Sequence, residues 1–400
     1  MRITFVAGRY WPATGGAETL VHHVAGALAE RHEVIVVADR IDQRPDERLS
    51  ESLRHPPAFA PFDDGAVRVY PVDLRGRHRV ALAPLAAQVV PGLARFAYGP
   101  PRVPMMALYA AVVGSLLAEH VRGADVLHVW STGFLGAAAV RAARRAGVPA
   151  IMTPFIHPGQ WGEDLASRRL LRRVDRVIGL LDVERETFRS LGVDPERMDT
   201  CGVCSPPVPA GGGAELRRLH SIEGPLVLFL GVRRPYKGHD LLLSVADAVV
   251  ARSPATFAFV GPGPALDGGP IGARLLDIGQ VDDAQRGAWL EAADLLCLPS
   301  KHEIFPVSVL EAWSVKTPVL VSDLPPLVEL IERSGGGWTV APEPQALTEK
   351  LVALLERPDE RRRLGLAGHE FWRAGHTPGA IAACHERVYE AAVSATRRPA

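Results

Sequence analysis

Short runs of β-branched and aliphatic residues alternate with helical composition along almost the whole chain. "ITFVA", "EVIVVA", "VRVYPV", "DVLHVW", "PAIMTP" and "RVIGL" read as strands, with Ala-rich helical stretches such as residues 19–30 and 136–146 between several of them. That rhythm demands a parallel sheet with helices on both faces, because parallel neighbours need a crossover and the crossover is normally a helix. The pattern breaks once, at "SPPVPAGGG", and restarts with "LVLFLG", "TFAFVG", "ARLLDIG", "DLLCLPS" and "PVLVSD". Four hundred residues exceed one ordinary core, so the break reads as a boundary between two domains. The expected architecture is α/β, with two doubly wound Rossmann-like parallel-sheet domains facing a cleft. The N-terminal domain is expected over residues 1–205, a linker over 206–213, and the C-terminal domain over 214–376. A final helix over about 377–400 is expected to pack back on the first domain. Ligands of such sheets lie off the carboxyl ends of the strands.

Lys and Arg number 45 and so do Asp and Glu, so the formal charge is zero. No basic excess supports a general nucleic-acid binder. Four cysteines make no disulfide scaffold, and "CGVC" at Cys201 to Cys204 has neither a second such pair nor a nearby His pair to form a metal site. A reduced, cytoplasmic protein is expected. "MRITFVAGRYWP" lacks the long apolar core and small-residue cleavage site of a signal peptide. The apolar region 80–118 is interrupted by Pro84, Pro91, Pro100, Pro101 and Pro104, which favours amphipathic or buried helices over a membrane span.

"HEIFPVSVLEA", His302 to Ala312, places Glu303 ahead of a helix and Glu311 on it, with Pro306 suited to the first helical position. From Pro306 to Glu311 the helix rises roughly 7–8 Å. Between the carboxylates lie the open amides of Val307 and Ser308 and a dipole that favours an anion. A diphosphate over the helix start with a polyol at each end fits this layout, which describes a nucleotide sugar. "FLGVRRPYKGHDLLL" supplies Arg233, Arg234 and Lys237 from a strand-to-helix loop, cations suited to charge on a leaving phosphate. In "GRYWPATGGAETL", Gly15 and Gly16 permit close approach of backbone to a ligand just before Glu18.

These segments, in this order, resemble the retaining glycosyltransferases of the GT-B fold often called family 4. Glu303 and Glu311 match the family's Glu-x7-Glu, and Phe305 to Ala312 match its "FP.S.LEA" variant. The Gly15-Gly16-x-Glu18 loop, the Lys237-Gly238 pair and His157 in "TPFIHPG" are similar too. The resemblance covers nearly the whole chain. It implies a hexosyltransferase that needs no bound cofactor or metal, taking a UDP- or GDP-sugar as donor and a hydroxyl-bearing acceptor. In the donor site it implies Glu311 at the ribose, Glu303 at the sugar with Phe305 beside it, and Lys237 at the diphosphate with the Val307 and Ser308 amides. It implies His157 facing the donor sugar, Gly16 at the phosphates or the acceptor, and Gly15 and Glu18 on the acceptor side. His157, Glu303 and Lys237 are the catalytic candidates. The sequence departs from the family at Val232, where Arg is usual, so Arg233 is the candidate to replace it. Ile304 and Lys316 stand where Gly is common.

Two rival functions share the architecture: a nucleotide-sugar epimerase and a non-catalytic homologue that binds a nucleotide sugar. The Pro-interrupted, apolar region 45–118 is expected to form much of the acceptor side and hints at a partly apolar acceptor. His22, His23, His128 and His302 lack metal-ligand spacing and read as structural. "SRRLLRRVDR" spaces arginines around a helix: a solvated face, or contact with an anionic membrane surface or acidic acceptor.

Overall fold

The computed structural model describes residues 1–13, 15–42, 59–83, 85, 102–159, 162–266 and 274–397. Residues 43–58 and 86–101 of the region expected on the acceptor side lie outside them. The chain divides into two compact units, Met1–Gly202 with Ile381–Ala400, and Val203–Ala380.

The first unit holds a sheet of order β3-β4-β2-β1-β5-β6-β7-β8. Its strands are β1 (Arg2–Arg9), β2 (Glu33–Arg40), β3 (Phe62–Asp64), β4 (Val67–Pro71), β5 (Val126–Val129), β6 (Ala150–Met152), β7 (Arg176–Gly179) and β8 (Met198–Thr200). All neighbours run parallel except β3 against β4. Strand β5 is buried throughout, and β1 buries Thr4 and its apolar neighbours, as central strands covered on both faces must. Helices α1 (Gly16–Ala29), α2 (Gly76–Leu82), α3 (Arg102–Val121), α4 (Phe134–Ala146), α5 (Leu165–Leu171) and α6 (Glu184–Ser190) supply the layers. Asp164 caps α5 by accepting from the Ala166 and Ser167 amides, and Gly147 ends α4 at φ +69°.

The second unit has an all-parallel sheet of order β11-β10-β9-β12-β13-β14. Its strands are β9 (Leu226–Leu230), β10 (Thr256–Val260), β11 (Leu275–Gly279), β12 (Leu295–Leu298), β13 (Val319–Ser322) and β14 (Gly337–Val340). Its helices are α7 (Gly213–Leu219), α8 (His239–Val250), α9 (Asp283–Ala292), α10 (Val307–Ser314), α11 (Pro325–Ser334), α12 (Pro344–Leu355) and α13 (Pro358–Gly375).

The stretch expected to be a linker belongs to the second unit instead. The Ser205 amide donates to the His376 carbonyl, Trp372 Nε1 donates to the Ser205 carbonyl, and the Gly211 and Gly213 amides both donate to Glu291 Oε2. At Gly287 an added Cβ would lie 2.0 Å from the Pro209 carbonyl oxygen, so α9 presses directly on this segment. Proline and glycine here serve close packing, not slack.

The last helix, α14 (Pro378–Arg397), contributes its residues from Ile381 onward to the first unit. Tyr389 hydrogen-bonds through its hydroxyl to His128 Nδ1 at 2.7 Å, and Glu386 meets Arg31 at 2.7 Å and His32 at 2.8 Å. Cys384 forms a disulfide with Cys201, their Cα atoms 5.6 Å apart. This corrects the expectation of four reduced thiols: Cys201 has its partner 183 residues away, not at Cys204, which is free and buried with Cys297.

Candidate active site

In the second unit the chemistry gathers where β9 and β12 end. Beyond β9 the chain makes a single 3-10 turn, Pro235–Lys237, and enters α8 through Gly238 at φ +77°. A Cβ there would lie 1.9 Å from the Pro299 carbonyl oxygen, so only glycine fits both the backbone angle and the contact. Ser300 Oγ donates to the Lys237 carbonyl at 3.3 Å. Lys237 is therefore fixed against the end of β12, and its ammonium sits 2.6 Å from Glu303 Oε2 and 5.3 Å from the centre of the Tyr236 ring. An ammonium carries three donors; one serves Glu303 and two remain for an anion.

Pro306 is the N-cap of α10, so the helix begins one residue later than expected, with Val307 and Ser308 in the first two helical positions. No helix carbonyl lies upstream to accept from their amides. One turn on, Glu311 lies mostly buried with Arg286 Nε of α9 3.3 Å from its Oε1. That Nε makes no hydrogen bond, so the pair is electrostatic contact without aligned donor geometry. Burial raises the Glu311 carboxyl above its usual range; Arg286 partly offsets this and Asp283 adds to it. The second unit thus brings together Lys237 and Glu303 in direct contact, and sets Val307, Ser308 and Glu311 along one helix.

Two expected members are used differently. Arg233 is buried and its guanidinium binds Asp277 at 2.6 Å, while its amide donates to the Pro262 carbonyl at 2.8 Å. It ties the loop after β9 to β11 and to the loop after β10, so it does not replace the missing cation at Val232, which is itself exposed. Phe305 is buried with its ring 5.7 Å from that of His376. It props the loop that carries Glu303, and its ring is not a surface for a sugar. Arg286 is the residue that sequence reasoning missed: it lies 25 positions from Glu311, and only the packing of α9 beside α10 brings them together.

In the first unit Gly15 is the extended N-cap of α1 and Gly16 its first residue. A Cβ on Gly15 would lie 2.2 Å from Glu18 Oε2, because that carboxylate folds back over the helix start. Glu18 also binds Arg9 Nε at 2.7 Å. Arg9 and Glu18 line a cavity of about 240 Å³ with Asp39, Trp130, Ser131 and Phe155, at the carboxyl ends of β1, β2 and β5. Trp130 Nε1 is buried there without a hydrogen-bond partner among the described residues. Phe155 has φ +48°, a costly angle for a bulky side chain, and its ring is 6.1 Å from that of Trp130 in near-parallel orientation. His157 follows two residues later and is half-buried. His128 is a core residue held by Tyr389 and by Thr153 Oγ1 at 3.0 Å, and His22 pairs with Asp64 at 2.8 Å.

Comparison with known proteins now bears on both units. Residues 15–203 match the family described as "Glycosyl transferase 4-like domain", and residues 224–357 match "Glycosyl transferases group 1". The chain is a GT-B glycosyltransferase of the family 4-like type. As a GT-B glycosyltransferase it is 34% identical over 180 residues to phosphatidyl-myo-inositol mannosyltransferase of Mycobacterium tuberculosis, covering 42% of this chain and 47% of that one. That match spans about half of the relative's length. It is 28% identical over 310 residues to D-inositol 3-phosphate glycosyltransferase of Frankia alni, covering 68% and 75% respectively. Among solved structures, sucrose-phosphate synthase from Thermosynechococcus elongatus aligns with TM-score 0.72 at 18% identity over 99% of this chain and 100% of that one. The Anabaena protein HepE, solved with UDP, aligns with TM-score 0.70 at 17% identity over 98% of this chain and 100% of that one. These two likenesses establish the fold.

Proposed function

We propose that this glycosyltransferase takes its sugar from a nucleotide diphosphate sugar, UDP- or GDP-linked, and transfers it with retention to a hydroxyl. The observation that carries this is the row in the second unit: an ammonium held by Glu303, two helix-start amides, and a buried carboxylate one turn further. A pyrophosphate would take the remaining Lys237 donors and the Val307 and Ser308 amides, where the helix dipole also favours negative charge. Glu311 would accept from ribose hydroxyls and Glu303 from the sugar. Charge that grows on the departing phosphate meets a fixed cation and fixed N–H dipoles, so the bond to the sugar breaks without a separate general acid. The acceptor hydroxyl then attacks from the face the phosphate leaves, and that phosphate helps take its proton. No resident metal is needed in this scheme. The relatives' names offer two acceptor candidates, phosphatidyl-myo-inositol and inositol 3-phosphate, each a polyol bearing a phosphate.

A panel of UDP-, GDP-, TDP- and ADP-sugars tests the donor. One nucleotide class should raise the melting temperature through selective binding, and the enzyme should slowly hydrolyse that donor. NMR of the transfer product should show the donor's own anomeric configuration, with the rate unchanged in EDTA. Stabilisation without hydrolysis or transfer would favour the non-catalytic binder. An inverted product would remove the retaining scheme, and no response to any nucleotide sugar would remove the donor assignment.

A further inference from the structure

A second cavity lies far from the chemistry just described in sequence and belongs wholly to the first unit. It is an open groove of about 620 Å³ between α3, α4 and α5. Val103, Met106, Ala107 and Ala110 of α3 supply much of its floor, joined by Ala137 and Val140 of α4 and by Ala166 and Leu170 of α5. Five arginines edge it: Arg141, Arg144 and Arg145 from α4, and Arg169 and Arg173 from α5 and its exit. All five are exposed, and among the described residues no carboxylate lines the groove.

What sets this rim apart is that five arginines without an acidic partner among the described residues edge one apolar groove. Several exposed arginines elsewhere meet acids one turn away, as Arg189 does with Glu186, Arg218 with Glu215 and Arg373 with Glu370. Among the described residues, none of the five rim arginines has an acidic partner. Around α3 and α4 the sequence contributes to this: no Asp or Glu occurs from Leu74 to Ala118, nor from Val126 to Gly162, in a chain whose charges otherwise balance. Arg144 and Arg145 do sit in the last turn of α4, where cations suit the helix dipole, but the dipole explains neither Arg141 nor the apolar floor. Helix α3 adds a further sign. It is long and apolar enough to cross a membrane by length and composition, and a third of its 18-residue apolar window is buried among the described residues.

We propose that this groove docks the first unit on a bilayer of anionic phospholipid, with the arginine rim on lipid phosphates and the apolar floor receiving the glycerol and upper acyl part of a lipid. Basic residues at the edge of an apolar face are the pattern of interfacial binding. Each arginine near an anionic leaflet contributes about 1 kcal/mol, roughly fivefold in affinity. Nucleic acid is a poorer match, because among the described residues the groove has no aromatic side chain on which a base would stack. The proposal does not depend on the donor or acceptor assigned above.

Sedimentation with large vesicles tests it. The full chain should bind vesicles of phosphatidylcholine with 30% phosphatidylglycerol and should not bind phosphatidylcholine alone. The variant Arg144→Gln/Arg169→Gln/Arg173→Gln should bind on the order of 100-fold more weakly, from three arginines at about fivefold each. Its circular dichroism and melting temperature without lipid should match those of the parent, which shows it folded. Monomeric dihexanoyl-phosphatidylglycerol should raise the melting temperature of the parent and not of the variant, and inorganic phosphate should do so for neither. Equal vesicle binding by parent and variant would overturn the proposal. So would a shift given fully by inorganic phosphate, which makes the site one for a free anion, or a dimer that the variant loses, which makes the occupant a second copy.

Discussion

Burial costs Glu311 more than its neighbours return. Removal from water raises its carboxyl above the ordinary range, and Arg286, 3.3 Å away without an aligned hydrogen bond, only partly offsets that. A group in this state is suited to accept hydroxyl donors from a ligand, which would favour the ionised form again. The same shift predicts a conflict between stability and function. For a carboxyl with a raised folded-state pKa, the unfolded chain releases its proton at lower pH, so the ionised side chain opposes folding at neutral pH. Glu311→Gln should therefore leave the melting temperature unchanged or raised, while the donor KM rises roughly 10- to 100-fold for the loss of hydrogen bonds to a charged acceptor. Scanning fluorimetry with steady-state kinetics separates the two. A KM within twofold of the parent would take Glu311 out of the donor site. Sequence alone located this residue and its helix, since the spacing of apolar positions and Pro306 marks where α10 begins. It did not reveal Arg286, because a charge 25 positions away carries no local mark of its partner. Arg233 misled for the same reason: its place in the loop suggested a phosphate, and Asp277, 44 positions on, had already claimed it.

At the scale of elements, the long runs were legible because a central parallel strand must be apolar throughout and a helix must change period. Strands β3, β8 and β14 were not. "FDD" and "MDT" are three residues long with two polar residues each, and "GWTV" opens on the last of three glycines, so neither pattern nor propensity separates them from loop. Their existence depends on the neighbour they pair with. The turn between α10 and β13 shows a sequence signal that can be read both ways. Lys316 stands where the family commonly has glycine, and its backbone adopts φ +69°. Helix α13 presses on that turn: a Cβ on Gly365 would be 2.0 Å from the Lys316 carbonyl oxygen, which leaves the turn little room to relax. A left-handed angle costs a non-glycine residue about 1–2 kcal/mol. Lys316→Gly should recover about 1 kcal/mol, after allowing for the freer unfolded chain, or roughly 2–4 °C in the melting temperature of a unit this size. Its side chain is exposed, so kcat should not change. A lower melting temperature would mean that the lysine contributes something the backbone angle conceals.

Acid response is a property of the whole molecule, because its buried histidines are spread through both units. His128 and His385 are fully buried in the first unit, where they face each other, Trp130 and Tyr389. His376 is buried in the second, with Val203 accepting from its ring and Arg333 acting against its charge. Burial lowers all three, His385 to about 4. The sign follows from proton uptake. Between the folded value and about 6.5, the unfolded chain binds a proton at each site that the folded chain refuses, so stability is complete above pH 6.5 and is lost as the pH falls. His385 alone, with a shift of some two and a half pH units, accounts for about 3 kcal/mol by pH 4. His385 Nε2 has no hydrogen-bond partner among the described residues, so an aromatic ring without that nitrogen leaves none of them unsatisfied. The expected outcome is a melting temperature flat above pH 7 and falling steeply from pH 6.5 to 5. His385→Phe should make that fall shallower without lowering the plateau by more than a few degrees. Melting curves at half-unit steps of pH decide it: a variant whose curve runs parallel to the parent's would show that His385 takes up its proton in the folded state as readily as in the unfolded one.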